Sequence, residues 1–286
     1  MTKSKLIKKQ PFAGKWVIIC GGSKGIGKAT AKEIVTLGGN VCIVARTLET
    51  LKEAAEEIKA KKSKVIQSIE IISCDTTDIE KLRPLFFEFI DKYGIPDYLL
   101  SFVGISYPDY IEKLTVDDYK KHMNTNFFGQ LIPILILLPH FIKKGKGYIG
   151  LTTSIMGFIG SMGYAAYNPS KFAISGFAES IRHELKPFNI HISVLYPPDT
   201  DTPGLQEELE SRPEELNIIS EKWGGLLQPE EVAEKFVEAL LKKEFYIMPG
   251  SSKFLWRVMR LFPKLVHKMS DRDLRKARKK MADSQK

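Results

Sequence analysis

From Trp16 to Tyr196 the chain alternates between short apolar runs rich in β-branched residues and longer segments of helical periodicity. "KWVIIC" precedes "KATAKEIVTLG", "NVCIVA" precedes "LETLKEAAEEIKAKK", and "VIQSIEII" precedes "IEKLRPLFFEFIDKYG". "YLLSFV" leads into a long helical pattern from Val116 to about Ile142, "YIGLTT" into a helix through Tyr167 to Leu185, and "HISVLY" closes the series. A helix between two strands carries the chain back across the sheet, so the strands run parallel and helices cover both faces. The expected fold is α/β, a Rossmann-type doubly wound parallel sheet in three layers (α/β/α).

With 286 residues, 43% of them hydrophobic, the chain can bury one large core. The reading is a basic N-terminal extension over 1–11, a single domain over 12–250, and a basic amphipathic tail over 251–286. Within the domain, about 198–228 reads as a loose segment beyond the last main strand, where such folds place substrate contacts. A capped helix near "QPEEVAEKFVEALLKK" and a short "FYIM" strand follow. Cys20, Cys42 and Cys74 are odd in number and lie in or beside apolar runs, which predicts free buried thiols in a reducing, cytoplasmic compartment. "MTKSKLIKKQPF" is basic but has no apolar signal core. "FFGQLIPILILLPHF" is broken by Gln130, Pro133, Pro139 and His140, falls short of the ~18 residues a spanning helix needs, and reads as a buried helix. His140, His183 and His191 show no metal-ligand spacing, and no metal is expected.

Gly21, Gly25 and Gly27 stand between the first strand and the first helix, spaced G-x-x-x-G-x-G. A tight turn there brings backbone N–H groups against a pyrophosphate at a helix N-terminus, which points to a dinucleotide. The second strand ends "VARTLE", so Ala45 and Arg46 occupy the place where an NAD-binding chain offers an acidic residue to the ribose. That favours NADPH/NADP+, with Lys24 and Arg46 neutralising the extra phosphate; the competing reading leaves Arg46 solvated and gives the ribose to Glu49. Asp75, in "SCDTTD", accepts from an adenine amine or caps the next helix.

"YAAYNPSK" sets two tyrosines before one lysine. Residues four apart share a helix face and residues seven apart do not, so Tyr167 meets Lys171 more readily than Tyr164 does. A phenol titrates near ~10 and serves acid–base chemistry at neutral pH only where a neighbouring cation favours its ionised form. The spacing alone leaves open an ordinary Tyr- and Lys-rich helix.

The glycine turn, the Tyr167–Lys171 helix and the strand order together resemble the short-chain dehydrogenase/reductase family over roughly residues 12 to 248. The resemblance implies an NADP-dependent carbonyl reductase. It makes Tyr167 the acid, Ser154 in "YIGLTTS" the carbonyl partner, Lys171 the group that lowers the phenol pKa and anchors the nicotinamide ribose, and Asn126 in "NTNFFG" the holder of a proton-relay water. Tyr164 becomes a pocket wall. Implied cofactor contacts are Gly21, Ser23, Lys24, Gly25, Ile26, Gly27, Arg46, Asp75, Gly104, Tyr167, Lys171, Pro197 and Thr202. "SFVG", ending at Gly104, replaces the family's Asn-Asn-Ala-Gly, and Cys20 stands where threonine is common; neither removes a reacting group.

Within the family, "KFAISGFAESIRHELKPFNIHISVLYPPDTDTPG" is similar to the 3-ketodihydrosphingosine reductases, which implies NADPH-dependent reduction of the 3-keto group of a long-chain sphingoid base. Thr50 stands where those relatives carry a second phosphate-binding lysine. Another apolar ketone or aldehyde (steroid, retinal or fatty-acyl) is the alternative substrate, and a non-catalytic NADPH-sensing scaffold the alternative role. The family usually pairs through the Leu131–Leu138 and Tyr167 helices, which implies a homodimer or homotetramer.

The formal charge of +9 is concentrated: residues 253–286 carry twelve Lys or Arg against Asp271, Asp273 and Asp283, so the remainder is neutral. From Phe254, apolar residues recur at 255, 258, 262, 265, 266 and 269 with Arg257, Arg260, Lys264 and Lys268 between them, bent at Pro263. Such a helix lies on an anionic membrane, here the cytosolic face of the endoplasmic reticulum if the chain is eukaryotic. The competing reading packs Leu255, Val258 and Phe262 on the domain. A nucleic-acid partner is not expected.

Overall fold

The structure, a computed structural model, describes residues 3–63, 66–223 and 225–284. Helix α1 (Lys3–Lys9) leads to β1 (Trp16–Cys20), α2 (Gly25–Thr36), β2 (Asn40–Ala45), α3 (Leu48–Lys59), β3 (Ile69–Ser73), α4 (Ile79–Tyr93) and β4 (Tyr98–Ser101). Then come α5 (Val116–His122), a π-helical stretch (Met123–Phe128), α6 (Gly129–Lys144), β5 (Gly147–Thr152), α7 (Tyr167–Leu185) and β6 (Ile190–Leu195). The chain continues through α8 (Pro203–Ser211), α9 (Glu214–Trp223), α10 (Pro229–Leu241), β7 (Tyr246–Ile247), α11 (Ser252–Leu261) and α12 (Pro263–Ser284).

The sheet has seven strands in the order β3-β2-β1-β4-β5-β6-β7, every pair parallel. Period-two alternation along β1 and β2 sorts side chains into two cores. Val17, Ile19, Val41 and Ile43 pack with Ile34, Leu51 and Phe236 on one face. Ile18, Cys20, Cys42 and Val44 pack with Leu82, Phe86, Leu137 and Phe141 on the other. Strands covered on both sides read as unbroken apolar runs, which is why they stand out in the sequence. The three cysteines are free and buried. Burial pushes the Cys20 and Cys42 thiols up, away from thiolate chemistry.

Three elements differ from the sequence reading. β3 begins at Ile69 rather than at Val65, which lies outside the described residues. Before it, the Gln67 side chain is buried and donates to Val35 O at 2.7 Å and Gly39 O at 2.8 Å, filling carbonyls at the end of α2. The segment expected to be loose forms α8 and α9. Thr202 caps α8 by accepting from Leu205 N at 3.2 Å, and Pro203 opens its first turn. The long helix contains the π-helical stretch, which carries Asn126. The run Val116–Lys144 is long and apolar enough to cross a membrane. Its Ile134, Leu137 and Phe141 nevertheless pack into the core, as expected of a buried helix.

The tail divides between the two readings. Leu255 and Val258 are half-buried and Val266 is buried, while Phe254 and Leu261 are each 70% exposed and Phe262, Leu265 and Met269 also face solvent. Trp256 packs on Tyr246 at 5.4 Å between ring centroids, and Arg260 lies 3.5 Å from Glu179. α12 runs back over α9, burying Ala277, and Arg278 Nε donates to Glu215 Oε1 at 3.3 Å. Glu215 is itself buried and accepts from Tyr110 on the loop after β4 at 2.5 Å.

Candidate active site

The carboxyl ends of β1, β2, β4 and β5 open into one cleft of ≈ 370 Å³. Its floor is the glycine turn. A Cβ on Gly27 would stand 2.1 Å from Gly21 O, and Gly21, at φ +75°, lies so close to Phe102 that a side chain there would strike backbone at 2.9 Å. The turn therefore admits a pyrophosphate at the N-terminus of α2 only because these positions lack side chains. Gly21, Ser23, Lys24, Gly25, Ile26, Gly27, Arg46, Asp75, Gly104 and Thr202 all line the cleft, together with Thr50. The residues present fit a dinucleotide.

Lys24 and Arg46 are exposed at the mouth of this cleft, and neither is held in an ion pair among the described residues. Their neighbour Lys28 is held by Glu57 at 2.8 Å. Glu49 does not line the cleft, so the lining matches a ribose phosphate rather than free ribose hydroxyls. Asp75 accepts from Thr77 N at 2.9 Å and Thr77 Oγ1 at 2.8 Å, and the cap of α4 is Asp78, which accepts from Lys81 N at 3.1 Å. The helix-cap reading of Asp75 is corrected: the side chain closes a local turn beside the cleft.

Ser154, Tyr167 and Lys171 converge beyond the other end. Lys171 Nζ lies 5.5 Å from the Tyr167 ring centroid and donates to Thr152 O at 3.4 Å. A Cβ on Gly104 would stand 3.1 Å from Lys171 Nζ, so this glycine leaves the ammonium its space. Pro197 O accepts from Ile155 N at 3.3 Å, tying the end of β6 to the turn that begins at Ser154. Burial pushes the Tyr167 phenol up, the charges of Glu208 and Asp199 push the same way, and a hydrogen bond with Ser154 draws it back. Burial alone pushes the Lys171 ammonium down to about 7. Both groups are desolvated, and desolvation disfavours the charged form of each, so burial outweighs any acidification of Tyr167 by Lys171.

Asn126 ties two elements of the site together. Its Oδ1 accepts from Ile105 N at 2.7 Å, and its Nδ2 donates to Ile105 O at 3.0 Å and Ser170 Oγ at 2.9 Å. The side chain clamps the loop after β4 to α7. Sequence spacing does not reveal His122, whose ring lies 6.2 Å from that of Tyr167. Its Nδ1 is 2.8 Å from Asp118 O and its Nε2 accepts from Tyr107 N at 3.2 Å, a neutral imidazole that burial keeps uncharged. Its position one helical turn before Asn126 is the sequence signal that places it on this face.

Residues 15–213 match the model of the short chain dehydrogenase family. Among curated proteins, a 3-dehydrosphinganine reductase of Danio rerio is 37% identical over 245 residues, covering 85% of this chain and 74% of its own. A 3-ketodihydrosphingosine reductase of Mus musculus is 34% identical, covering 88% and 76%. A fatty acyl-CoA reductase of Acinetobacter baylyi is 30% identical, covering 84% and 78%. A solved 3-oxoacyl-[acyl-carrier protein] reductase from Brucella melitensis superposes with a TM-score of 0.74 at 22% identity, over 87% of this chain and 94% of that one, which shows a shared fold. The match runs from β1 to beyond α8, the whole stretch that builds the cleft and the Ser154–Tyr167–Lys171 convergence, and the chain accordingly belongs to the short chain dehydrogenase family.

Proposed function

We propose that this oxidoreductase uses NADPH to reduce the 3-keto group of a long-chain sphingoid base, 3-ketodihydrosphingosine, to the alcohol. The observation that carries the substrate is the 37% identity, across 85% of the chain, to a relative named 3-dehydrosphinganine reductase. The bare cations Lys24 and Arg46 at the cleft mouth support the phosphorylated cofactor.

When bound, the cofactor supplies a hydride to the carbonyl carbon. Tyr167 gives its phenolic proton to the oxygen as negative charge grows there, and the Ser154 hydroxyl donates a hydrogen bond to the same oxygen. The raised phenol keeps Tyr167 protonated and ready to donate. Lys171 would hold the nicotinamide ribose by hydrogen bonds and, once protonated, steady the phenolate left behind. Asn126 is a positioning residue: it fixes α7 and the loop after β4 against each other.

The tail takes the protein to its substrate. Phe254, Leu261, Phe262, Leu265 and Met269 form an exposed apolar strip flanked by Lys253, Arg257, Lys264 and Lys268. An anionic membrane, on the cytosolic face of the endoplasmic reticulum in a eukaryote, matches both the apolar strip and its charge. A second copy of the chain covers Phe128, Leu135 and Phe172, which the π-helical stretch, α6 and α7 leave exposed, giving a homodimer or homotetramer.

The direct test follows NADPH absorbance with 3-ketodihydrosphingosine in mixed micelles and identifies dihydrosphingosine as the product. Tyr167→Phe is expected to lower turnover by about a thousandfold while NADPH binds within about twofold of the parent, because the proton is needed only in the transition state. Retention of about a tenth of the turnover assigns the acid elsewhere.

A further inference from the structure

Beside Tyr167 lies a charged cluster that the reduction itself does not require. Tyr164 packs on Tyr167 with ring centroids 5.8 Å apart, and its hydroxyl donates to Glu208 Oε1 on α8 at 2.5 Å. Arg212 Nη2 donates to that same oxygen at 2.5 Å and lies 3.5 Å from Asp199 Oδ2. The Arg212 side chain is only 5% exposed, and its Nε–H has no hydrogen-bond partner. Asp199 stands two residues beyond Pro197, whose carbonyl is bonded to Ile155, so it is tethered to the strand ends that present Ser154.

Two carboxylates share one guanidinium, which leaves the cluster with a net charge of −1. Asp199 Oδ1 and Glu208 Oε2 have no partner among the described residues. Glu208, 13% exposed, keeps an oxygen that a further cation can complete, while Asp199, 38% exposed, is open to that cation from the solvent side. The Lys171 ammonium does not supply it, being directed to Thr152 O. Resting on the reading of the reaction given above, we propose that Asp199 and Glu208, fixed by Arg212 and Tyr164, bind the protonated amino group on the carbon adjacent to the reacting carbonyl. They thereby select α-amino ketones over ketones that lack it.

The arrangement reaches the chemistry as well as the affinity. Glu208 and Asp199 are charges that oppose ionisation of the Tyr167 phenol. An ammonium seated between them cancels that field and eases departure of the proton. An α-amino ketone therefore gains in kcat as well as in KM, whereas a pocket that only supplied shape would alter KM alone.

The experiment uses the full-length protein, NADPH, and a soluble short-chain 2-amino-1-hydroxy-3-ketone beside its counterpart without the amino group. The parent protein is expected to favour the amino ketone by about a hundredfold in kcat/KM, the size of discrimination that a buried charge-assisted contact provides. Asp199→Asn lowers kcat/KM about thirtyfold for the amino ketone and less than about threefold for its counterpart, with kcat and KM both moved. Glu208→Gln shifts the preference the same way, and Asp199→Glu recovers part of it; thermal melting of each variant confirms that it is folded. Equal reduction of both ketones by the parent overturns the inference and leaves the carbonyl reductase reading standing, as does an Asp199→Asn protein that keeps the full preference. Failure to reduce either ketone, together with failure to reduce 3-ketodihydrosphingosine in micelles, overturns both.

Discussion

The cleft and the cluster beside Tyr167 handle charge in opposite ways. At the cofactor end, Lys24 and Arg46 stand exposed and outside any ion pair among the described residues. Beside Tyr167, Glu208 and Arg212 are mostly buried, Asp199 is 38% exposed, and the cluster is tied to Tyr164. A solvated cation remains charged at little cost and attracts a phosphate from a distance, whereas a desolvated carboxylate pays for its charge until it is matched, and so discriminates at close range. On the readings proposed above, the first captures and the second chooses. Lys171 sits between them, with neither bulk water nor an anion to hold its proton.

The largest test of the contrast reverses the cofactor end. Arg46→Glu is expected to shift the kcat/KM ratio from NADPH towards NADH by about a hundredfold, because a carboxylate repels the ribose phosphate and accepts from free ribose hydroxyls. An unchanged ratio assigns phosphate recognition to Lys24. The next test isolates the middle. The Lys171 pKa is about 7 in the folded chain against an ordinary 10.5. The unfolded chain therefore binds more protons than the folded one across that window, and stability contributed by this group rises with pH above about 7. Denaturant titrations without cofactor should show Lys171→Met removing about 2 kcal/mol of the stability gained between pH 7 and pH 9. The smallest effect lies outside the cleft: replacing Phe254 and Leu261 together with serine is expected to weaken sedimentation with anionic vesicles about tenfold. Binding that survives the double substitution, or persists with neutral vesicles, removes the apolar strip from the account of docking.

The cofactor end is legible in the sequence because its causes are local. A strand, a glycine turn and a helix follow one another within a few residues, and the steric demand at Gly21 and Gly27 acts between neighbours. The Tyr167–Lys171 pair is equally local, one helical turn apart. The substrate end is not. Tyr164 meets Glu208 across 44 residues, and Tyr110 meets Glu215 across 105, separations for which no periodicity gives a sign. The α8–α9 segment reads as loose because its polar composition carries little hydrophobic pattern; its helices depend on the Thr202 cap and on packing under α12. Val65 and Ile66 look like strand residues, but Gln67 is drawn away by the carbonyls at the end of α2. At Lys171, composition shows a cation and only the fold shows that it is dry.

The clasp of α12 on α9 has a consequence for the order in which the molecule is completed. Ser154, Tyr167 and Lys171 are in place once β6 has joined the sheet, near residue 195, but Arg278 reaches Glu215 only more than 60 residues later in the chain. On a ribosome, where N-terminal parts emerge and fold first, the nucleotide half can assemble while α12, which packs on α9, is still being synthesised. A protein fused or trimmed near that last helix would keep Ser154, Tyr167 and Lys171 together and lose the clasp that holds α9.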